Sequence, residues 1–209
     1  MIALIGSEGS MGKRYQAVLT HLREPFTALD KIKDKEDHIE ASVRSADKIL
    51  LASPTDTHVA LLRKYLPLKK PILCEKPVCR DLDELIELHA ECSRNGWRYQ
   101  MVMQYRELDI PFKTPDRWSY YNYFRHGNDG LAWDCTQTIA LANGPVSLKE
   151  DSPIWECAIN GQILSIKDMD RAYVEHTRKF INGTLDQTMD DIMTIHKKVH
   201  AWKEANEIA

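Results

Sequence analysis

The sequence predicts an α/β fold whose first half is a doubly wound parallel sheet. Short segments with apolar centres, of which the wholly apolar "IALI" at residues 2–5 is the first, alternate with segments whose apolar residues recur at helical spacing. This alternation occurs five times, and unbroken apolar strands are typical of a parallel sheet that is buried on both faces. Right-handed crossovers then place the carboxyl ends of the strands at one edge, where doubly wound folds bind ligands.

Five strands are predicted in this first half. Each has an apolar centre, and their ranges are 2–5, 25–30, 47–55, 71–78 and 97–105. The intervening helices are expected up to about residue 22, within 31–46, at 57–66 and at 81–96. Gly96 is a typical residue at the end of a helix. Residues 1–104 therefore form one predicted domain.

The second half, residues 105–209, predicts a small α+β domain with a reduced, mainly antiparallel sheet. The elements expected there are a strand, a short helix, a hairpin and two final helices, at 119–127, 134–143, 154–166, 168–181 and 188–204. The hairpin is expected to turn at Asn160-Gly161. Strands and helices that are grouped, rather than alternating, are typical of this class.

Composition and charge are those of a soluble globular protein. Apolar residues make up 43% of the chain and charged residues 28%, with a net charge of −3. The basic residues do not cluster as they do in nucleic-acid-binding domains. No stretch reaches the roughly 18 continuous apolar residues that a membrane helix needs. We therefore expect a cytoplasmic protein that binds neither nucleic acid nor membranes.

The cysteines and histidines do not predict a metal site. Five cysteines are scattered along the chain without a C-x-x-C pair. Reduced, mostly structural thiols are the prediction. His196 and His200 have the i, i+4 spacing of a metal pair, but the sequence offers no evident third ligand.

A glycine-rich segment, "IGSEGSMG", follows the first predicted strand and precedes a helix. Its glycines are Gly6, Gly9 and Gly12, with Ser10 and Met11 at the start of the helix. Such a turn allows the pyrophosphate of a dinucleotide to approach helix N–H groups, although a purely structural turn is the alternative. The spacing is G-x-x-G-x-x-G instead of G-x-G-x-x-G. Because the whole β-α-β unit is present, we predict a Rossmann-type dinucleotide site.

Asp30, at the end of the second predicted strand, indicates which dinucleotide binds. A carboxylate at this place accepts hydrogen bonds from the adenine ribose and repels the 2′-phosphate of NADP. The prediction is therefore NAD. Lys31 and Lys33 keep NADP open as the alternative, because either lysine is close enough in sequence to reach a 2′-phosphate.

Two further segments resemble the Gfo/Idh/MocA family, which includes glucose-fructose oxidoreductase and inositol dehydrogenase. They are "SPTDTH" at residues 53–58 and "EKP" at residues 75–77, and the resemblance covers about residues 1–106. It implies NAD(P)-dependent hydride transfer to or from sugars, cyclitols and related polyols. The residues that it places around the cofactor are Ser53, Pro54, Thr55, His58, Glu75 and Lys76.

In the family that this chain resembles, the lysine of the Glu-Lys-Pro segment, here Lys76, reaches the nicotinamide and the substrate. An ammonium at the carboxyl edge of a strand can hydrogen-bond an alcohol oxygen and move its proton. A surface lysine in a turn is the structural alternative. The isomer of the Lys76-Pro77 bond cannot be predicted from the sequence.

The resemblance weakens in the second half, where the family supplies an Asp-x-x-x-His helix. Asp134 occupies the place of the first acid and is the second predicted catalytic residue, but Thr138 replaces the histidine and Leu141 the second acid. Neither Thr138 nor the neighbouring Gln137 carries a proton at neutral pH as imidazole does. His126 is a substitute only if its loop folds toward the cleft.

Three functions therefore remain open: the dehydrogenase, a nucleotide-binding sensor or partner protein without turnover, and a reductase of another small molecule, such as an imine or a tetrapyrrole. A homodimer through the second sheet is also predicted. Its aromatic residues, which a partner chain or an ordinary core would cover, are Tyr120, Tyr121, Tyr123 and Trp155.

Overall fold

The computed structural model describes residues 1–108, 118–121, 135–142, 146–149, 156–159, 162–163 and 166–206. The chain forms two compact units. The first contains residues 1–102 and 176–193, and the second contains residues 103–175 and 194–209. The functional division predicted between residues 104 and 105 stays a prediction.

The first unit contains a five-stranded parallel sheet, which confirms the fold class predicted for the first half of the chain. The strands are β1 (Ile2–Ile5), β2 (Phe26–Leu29), β3 (Lys48–Leu51), β4 (Ile72–Cys74) and β5 (Gln100–Met101). Their order across the sheet is β2-β1-β3-β4-β5. The first strand, β1, therefore lies inside the sheet, with β2 on one side and β3, β4 and β5 on the other.

The strand register aligns the carboxyl ends of the central strands. Ile5 pairs with Leu29 on one side and with Leu51 on the other, and Leu51 pairs with Cys74. The residues that directly follow these strands therefore lie at a single edge of the sheet. This carboxyl edge brings together segments that are up to 70 residues apart in sequence.

Three strands end four residues before the end that the sequence predicts. β3 ends at Leu51, before a 3₁₀ turn at Thr55–Thr57, and β4 ends at Cys74, before a cis Lys76-Pro77 peptide bond. Pro54 and Pro77 have no N–H for a sheet hydrogen bond, so the strands cannot extend through them. β5 is limited to two residues.

Four helices surround this sheet: α1 (Ser10–His21), α2 (Glu36–Ser45), α3 (His58–Tyr65) and α4 (Leu82–Asn95). α4 has a capping residue at each end. The carboxylate of Asp81 accepts hydrogen bonds from the N–H groups of Asp83 and Glu84, and Gly96 ends the helix with a left-handed φ of 65°. These ends match the helix predicted at 81–96.

The core of the first unit is the sheet itself. Ile2, Leu4, Leu50 and Leu73 have no exposed surface, as expected for strands that are covered on both faces. Full burial of such a side chain stabilises a fold by about 1.5–3 kcal/mol. The loops at the carboxyl edge are therefore anchored on a rigid support.

The described parts of the second unit include strands β6 (Trp118–Tyr121), β7 (Val146–Lys149), β8 (Glu156–Ile159) and β9 (Gln162–Ile163) and the short helix α5 (Thr136–Leu141). The strand order is β7-β6-β8-β9. β6 pairs with β7 in parallel, whereas β8 is antiparallel to both β6 and β9. The predicted turn at residues 160–161 lies outside the described residues.

Two long helices, α6 (Ile166–Asn182) and α7 (Met189–Ala205), each contribute residues to both units. In the second unit they join an apolar cluster that also includes Tyr105, from the 3₁₀ helix Gln104–Glu107, and Ile139 of α5. Its buried members are Tyr105, Leu108, Cys135, Ile139, Met169, Ala172 and Val199. Among the described residues, no helix combines the length and apolarity that crossing a membrane requires.

The cap of α4 predicts a stability effect. Asp81→Ala removes the side-chain acceptor of two N–H groups, and we expect it to lower the free energy of unfolding by about 1 kcal/mol. Asp81→Asn is the matched control, because asparagine also accepts these hydrogen bonds. Urea denaturation of the three proteins measures the effect, and equal midpoints for Asp81→Ala and the wild type would contradict it.

Candidate functional site

The glycine-rich turn lies at the carboxyl edge of the sheet, between β1 and α1. Gly6 has a left-handed φ of 86°, and a Cβ there would lie 2.5 Å from the backbone nitrogen of Ser53. A Cβ on Gly12 would lie 2.1 Å from the carbonyl oxygen of Gly6. Both glycines are therefore required by the packing of the chain itself.

Gly9 differs from the other two glycines. It adopts an extended conformation with φ −68° and ψ 167°, which any residue can adopt. The nearest atom to a Cβ there would be the carbonyl oxygen of Gly6, at 3.6 Å, an ordinary contact distance. Nothing inside the described chain therefore requires glycine at position 9.

Gly9 is also the N-cap residue of α1. No side chain caps this helix, and its first turn contains no acidic residue. Ser10, Met11 and Gly12 therefore begin a 12-residue helix whose first N–H groups have no acceptor within the helix. These N–H groups and the positive end of the helix dipole form an anion-binding position.

Asp30 directly follows β2 and is held in place by backbone donors. Its two carboxylate oxygens accept hydrogen bonds from the N–H groups of Glu8 and Ile32, both at 3.0 Å. The residue is only 6% exposed. A carboxylate has about four lone-pair sites, so two accepted bonds leave it able to accept from a ribose hydroxyl.

Two residues beside Asp30 were missed by the sequence-based reasoning. Glu8, from the glycine-rich turn, forms an ion pair of 2.7 Å with Lys33. Ile32 is 81% exposed, which is unusual for a large apolar side chain. The sequence signals that could have identified them are an acid between Gly6 and Gly9 and an isoleucine between Lys31 and Lys33.

His58 begins α3 and connects two of the edge loops. Its ring nitrogens lie 2.9 Å from the carbonyl oxygen of Pro77 and 2.8 Å from that of Ser53. The side chain is 1% exposed. His58 therefore holds the loop after β3 against the loop after β4, while Pro54 is exposed and Ser53 and Thr55 are half-buried.

Glu75 follows β4 and is 4% exposed. One carboxylate oxygen accepts a 2.7 Å hydrogen bond from the hydroxyl group of Tyr15, a residue of α1. The other accepts a 3.0 Å hydrogen bond from the backbone N–H of Lys76. Glu75 thus connects α1 to the turn that carries Lys76.

Lys76 itself is half-exposed, between the buried residues Glu75 and Pro77. The structure therefore brings most of the predicted site residues to one edge of the first unit. The residues that meet there are Gly6, Gly9, Ser10, Met11, Gly12, Asp30, Ser53, Pro54, Thr55, His58, Glu75 and Lys76.

The second unit places its candidate residues differently. Asp134 and His126 lie outside the described residues. Gln137 is 2% exposed and uses both ends of its amide group, since it accepts from the N–H of Tyr105 at 2.8 Å and donates to Gln104 at 2.5 Å. Thr138 has no exposed surface. Both side chains are therefore part of the local packing.

The cysteine side chains that the structure describes are buried and unoxidised: Cys74, Cys79, Cys92 and Cys135. Burial raises the pKa of Cys79 to about 12 and that of Cys92 to about 11. Because the thiolate is the reactive form, burial of Cys79 and Cys92 disfavours the reactive form of both thiols at neutral pH. In the described ranges, no group of three potential ligands has the geometry of a metal site.

A cavity of about 660 Å³ lies away from this edge. Its lining includes Pro71 before β4, Trp97 and Arg98 before β5, and residues 185–190. Pro71, Trp97 and Arg98 precede their strands, so the cavity lies at the amino edge of the sheet. Doubly wound folds bind their ligands at the opposite, carboxyl edge, where the chemistry-bearing residues lie.

Comparison with known proteins shows that most of the first unit is similar to one family of oxidoreductases. Residues 16–103 match the family model GFO_IDH_MocA, described as an oxidoreductase family with an NAD-binding Rossmann fold. Inositol 2-dehydrogenase 1 from Mycolicibacterium vanbaalenii is 31% identical over 102 residues, which are 49% of this chain and 27% of that protein. The uncharacterized oxidoreductase YrbE from Bacillus subtilis is 37% identical over 67 residues, or 32% of this chain and 19% of that protein. The chain spans about a quarter or less of these relatives.

Solved structures share the fold at low sequence identity. A probable dehydrogenase from Thermotoga maritima superposes with a TM-score of 0.76 at 13% identity, covering 99% of this chain and 96% of that one. The WlbA (WbpB) dehydrogenase from Thermus thermophilus, in complex with NAD and UDP-GlcNAcA, has a TM-score of 0.70 at 16% identity, covering 97% and 94%. Residues 16–103, which include Asp30 and the Glu75-Lys76-Pro77 segment, are thus similar to the NAD-binding Rossmann unit of the Gfo/Idh/MocA oxidoreductase family.

Proposed function

We propose that this chain is an NAD-dependent oxidoreductase that transfers a hydride between the nicotinamide ring and a sugar, a cyclitol or a related polyol or keto compound. The observation that carries the proposal is the uncapped start of α1 at Gly9. Neither the backbone conformation nor internal packing requires a glycine there. The absence of a side chain instead leaves room beside the helix N–H groups, where a pyrophosphate fits.

The adenosine end of the dinucleotide is assigned to the loop after β2. Asp30, already fixed by two backbone N–H groups, would accept hydrogen bonds from the ribose hydroxyls. The exposed side chain of Ile32 offers an apolar surface for the adenine ring at the same place. The family description and the carboxylate both favour NAD over NADP.

The nicotinamide end is assigned to the loops after β3 and β4. When bound, the nicotinamide supplies the hydride acceptor or donor. Lys76 is half-exposed at this edge and would hydrogen-bond the reacting oxygen of the substrate. In the oxidation direction its neutral amine would accept the hydroxyl proton, and in the reduction direction its ammonium would return it. Its partner Asp134 stays a sequence-based prediction.

The substrate class is supported by relatives only. One relative of the first unit is an inositol 2-dehydrogenase, and one structure with the same fold holds NAD together with UDP-GlcNAcA. Inositol and UDP-GlcNAcA both contain rings that carry hydroxyl groups. A cytoplasmic location and a dimer through the sheet of β6–β9 complete the proposal. In the described part of that sheet, β7 and β9 are the outer strands, and outer strands offer unpaired backbone groups to a partner.

A nucleotide-binding sensor without turnover is the second candidate. The observation that favours it is the helix α5, where Thr138 stands in the place of the family's histidine. Thr138 and Gln137 are both buried and do not titrate near neutral pH. The second unit therefore presents no proton-transferring group at these two positions.

Substitution of Lys76 distinguishes the two functions. In the full chain, with a panel of polyols and keto-sugars, we expect Lys76→Ala to lower kcat by about 10²- to 10⁴-fold, the usual contribution of a general acid or base. The Kd for NADH should change far less. Nicotinamide absorbance at steady state measures kcat, and NADH fluorescence measures Kd.

Lys197→Ala, which removes an exposed lysine of α7, is the matched control for this experiment. Binding of NADH without turnover on the whole panel would instead support the sensor. A kcat that is equal in Lys76→Ala and the wild type would contradict the role of Lys76.

The hydrogen bond between Tyr15 and Glu75 predicts a coupled effect on stability and turnover. Tyr15→Phe leaves a buried carboxylate oxygen without its donor, which costs about 1–3 kcal/mol of unfolding free energy. Because Glu75 also holds the N–H of Lys76, we expect kcat to fall as well. Urea denaturation and steady-state kinetics measure the two effects.

Tyr65→Phe is the control for this variant, because Tyr65 is equally buried and its hydroxyl group contacts Glu40 at 3.3 Å on a different surface of the unit. It should change stability only. If Tyr15→Phe lowers stability to the same extent as Tyr65→Phe and leaves kcat intact, Glu75 does not position Lys76.

A further inference from the structure

Glu8 occupies a particular position in the glycine-rich turn. It lies between Gly6 and Gly9, and its own N–H donates to the carboxylate of Asp30 at 3.0 Å. This bond fixes the backbone of Glu8 beside the acid that faces the ribose in the proposed function. The side chain of Glu8 extends to Lys33, at 2.7 Å between Oε1 and Nζ.

Lys33 is surrounded by acids. The hydrogen bond with Glu8 is the largest cause of the raised pKa of Lys33, and the charges of Glu8, Asp34 and Asp30 raise it further. Asp34 also belongs to this loop, since its carboxylate accepts from the N–H of Asp30 at 2.8 Å. The positive charge of Lys33 is thus balanced by carboxylates of the first unit.

We propose that Glu8 is a second specificity determinant of the dinucleotide site, which excludes NADP by neutralising Lys33. The inference rests on the proposed function, because it assumes that the adenine ribose binds at Asp30. A 2′-phosphate on that ribose would meet the carboxylates of Asp30 and Glu8 together. Lys33, the cation that could pair with the phosphate, is already paired.

Removal of Glu8 has two effects, and both increase the affinity for NADPH. It deletes one of the two carboxylates that repel the phosphate, and it releases the ammonium of Lys33. The Glu8–Lys33 pair is exposed, with about two fifths of each side chain accessible, so its strength is that of a surface ion pair. The lysine can therefore change partners once the carboxylate is gone.

The test is a titration of the full 209-residue chain with NADH and with NADPH, followed by nicotinamide fluorescence. We expect Glu8→Gln to lower the ratio of Kd for NADPH to Kd for NADH by about five-fold, the size of one exposed ion pair. The gain should shrink as salt is added, because it depends on exposed charges. Glu8→Ala is a second variant with the same expected direction.

The double variant Glu8→Gln/Lys33→Ala identifies the cation. If Lys33 is the released partner, the double variant loses the part of the gain in NADPH affinity that comes from the ammonium of Lys33 and keeps only the smaller part that comes from the missing Glu8 carboxylate. If the gain persists undiminished in the double variant, Lys33 is not the released cation, and the proposal is wrong; the exposed Lys31 would then be the next candidate for the phosphate. Glu87→Gln is the matched control, because it removes an exposed carboxylate of α4, which lies 3.7 Å from the guanidinium group of Arg63 on α3.

The wild-type titration distinguishes a failure of this inference from a failure of the proposed function. A wild-type chain that binds NADH, together with a Glu8→Gln variant whose Kd ratio is unchanged, overturns the role of Glu8 alone. A wild-type chain that binds neither nucleotide overturns the proposed function and this inference with it.

Discussion

The close approach of the glycine-rich turn to the end of β3 is the constraint on which the rest of the site depends. A side chain at Gly6 would collide with the backbone of Ser53, and one at Gly12 would collide with Gly6 itself. Only glycine at these two positions lets α1 start directly above the sheet edge. That placement directs the free N–H groups of the helix toward the same edge as Asp30 and Lys76.

α1 connects the two parts of the proposed site, the pyrophosphate position and the turn that carries Lys76. Its first turn offers N–H groups to a pyrophosphate, and one turn later Tyr15 holds Glu75, which in turn holds the backbone of Lys76. His58 adds a second connection, between the loops after β3 and β4. The groups that would bind the cofactor and the lysine that would move a proton therefore share one set of buried polar contacts.

The alternation of apolar strands and amphipathic helices was enough to predict the parallel sheet, because the central strands β1, β3 and β4 are buried on both faces and consist almost entirely of apolar residues. The position of Asp30 followed from the end of β2. The bonds from Tyr15 to Glu75 and from Glu8 to Lys33 were not predictable, since they join residues 60 and 25 positions apart and depend on the packed fold. The two contacts of His58 were not predictable for the same reason: a motif shows that a histidine is present but not that both ring nitrogens face carbonyl oxygens.

The central claim is that glycine is needed at position 9 to leave room for a ligand and is not needed to form the fold. Titration of Gly9→Asp with NADH tests it most directly, because aspartate is a favourable N-cap residue and suits the extended conformation there. The account predicts an unchanged or higher melting temperature together with at least about ten-fold weaker NADH binding, since two like charges about 4 Å apart repel by about 1–4 kcal/mol. A Gly9→Asp variant that binds NADH as tightly as the wild type would contradict it.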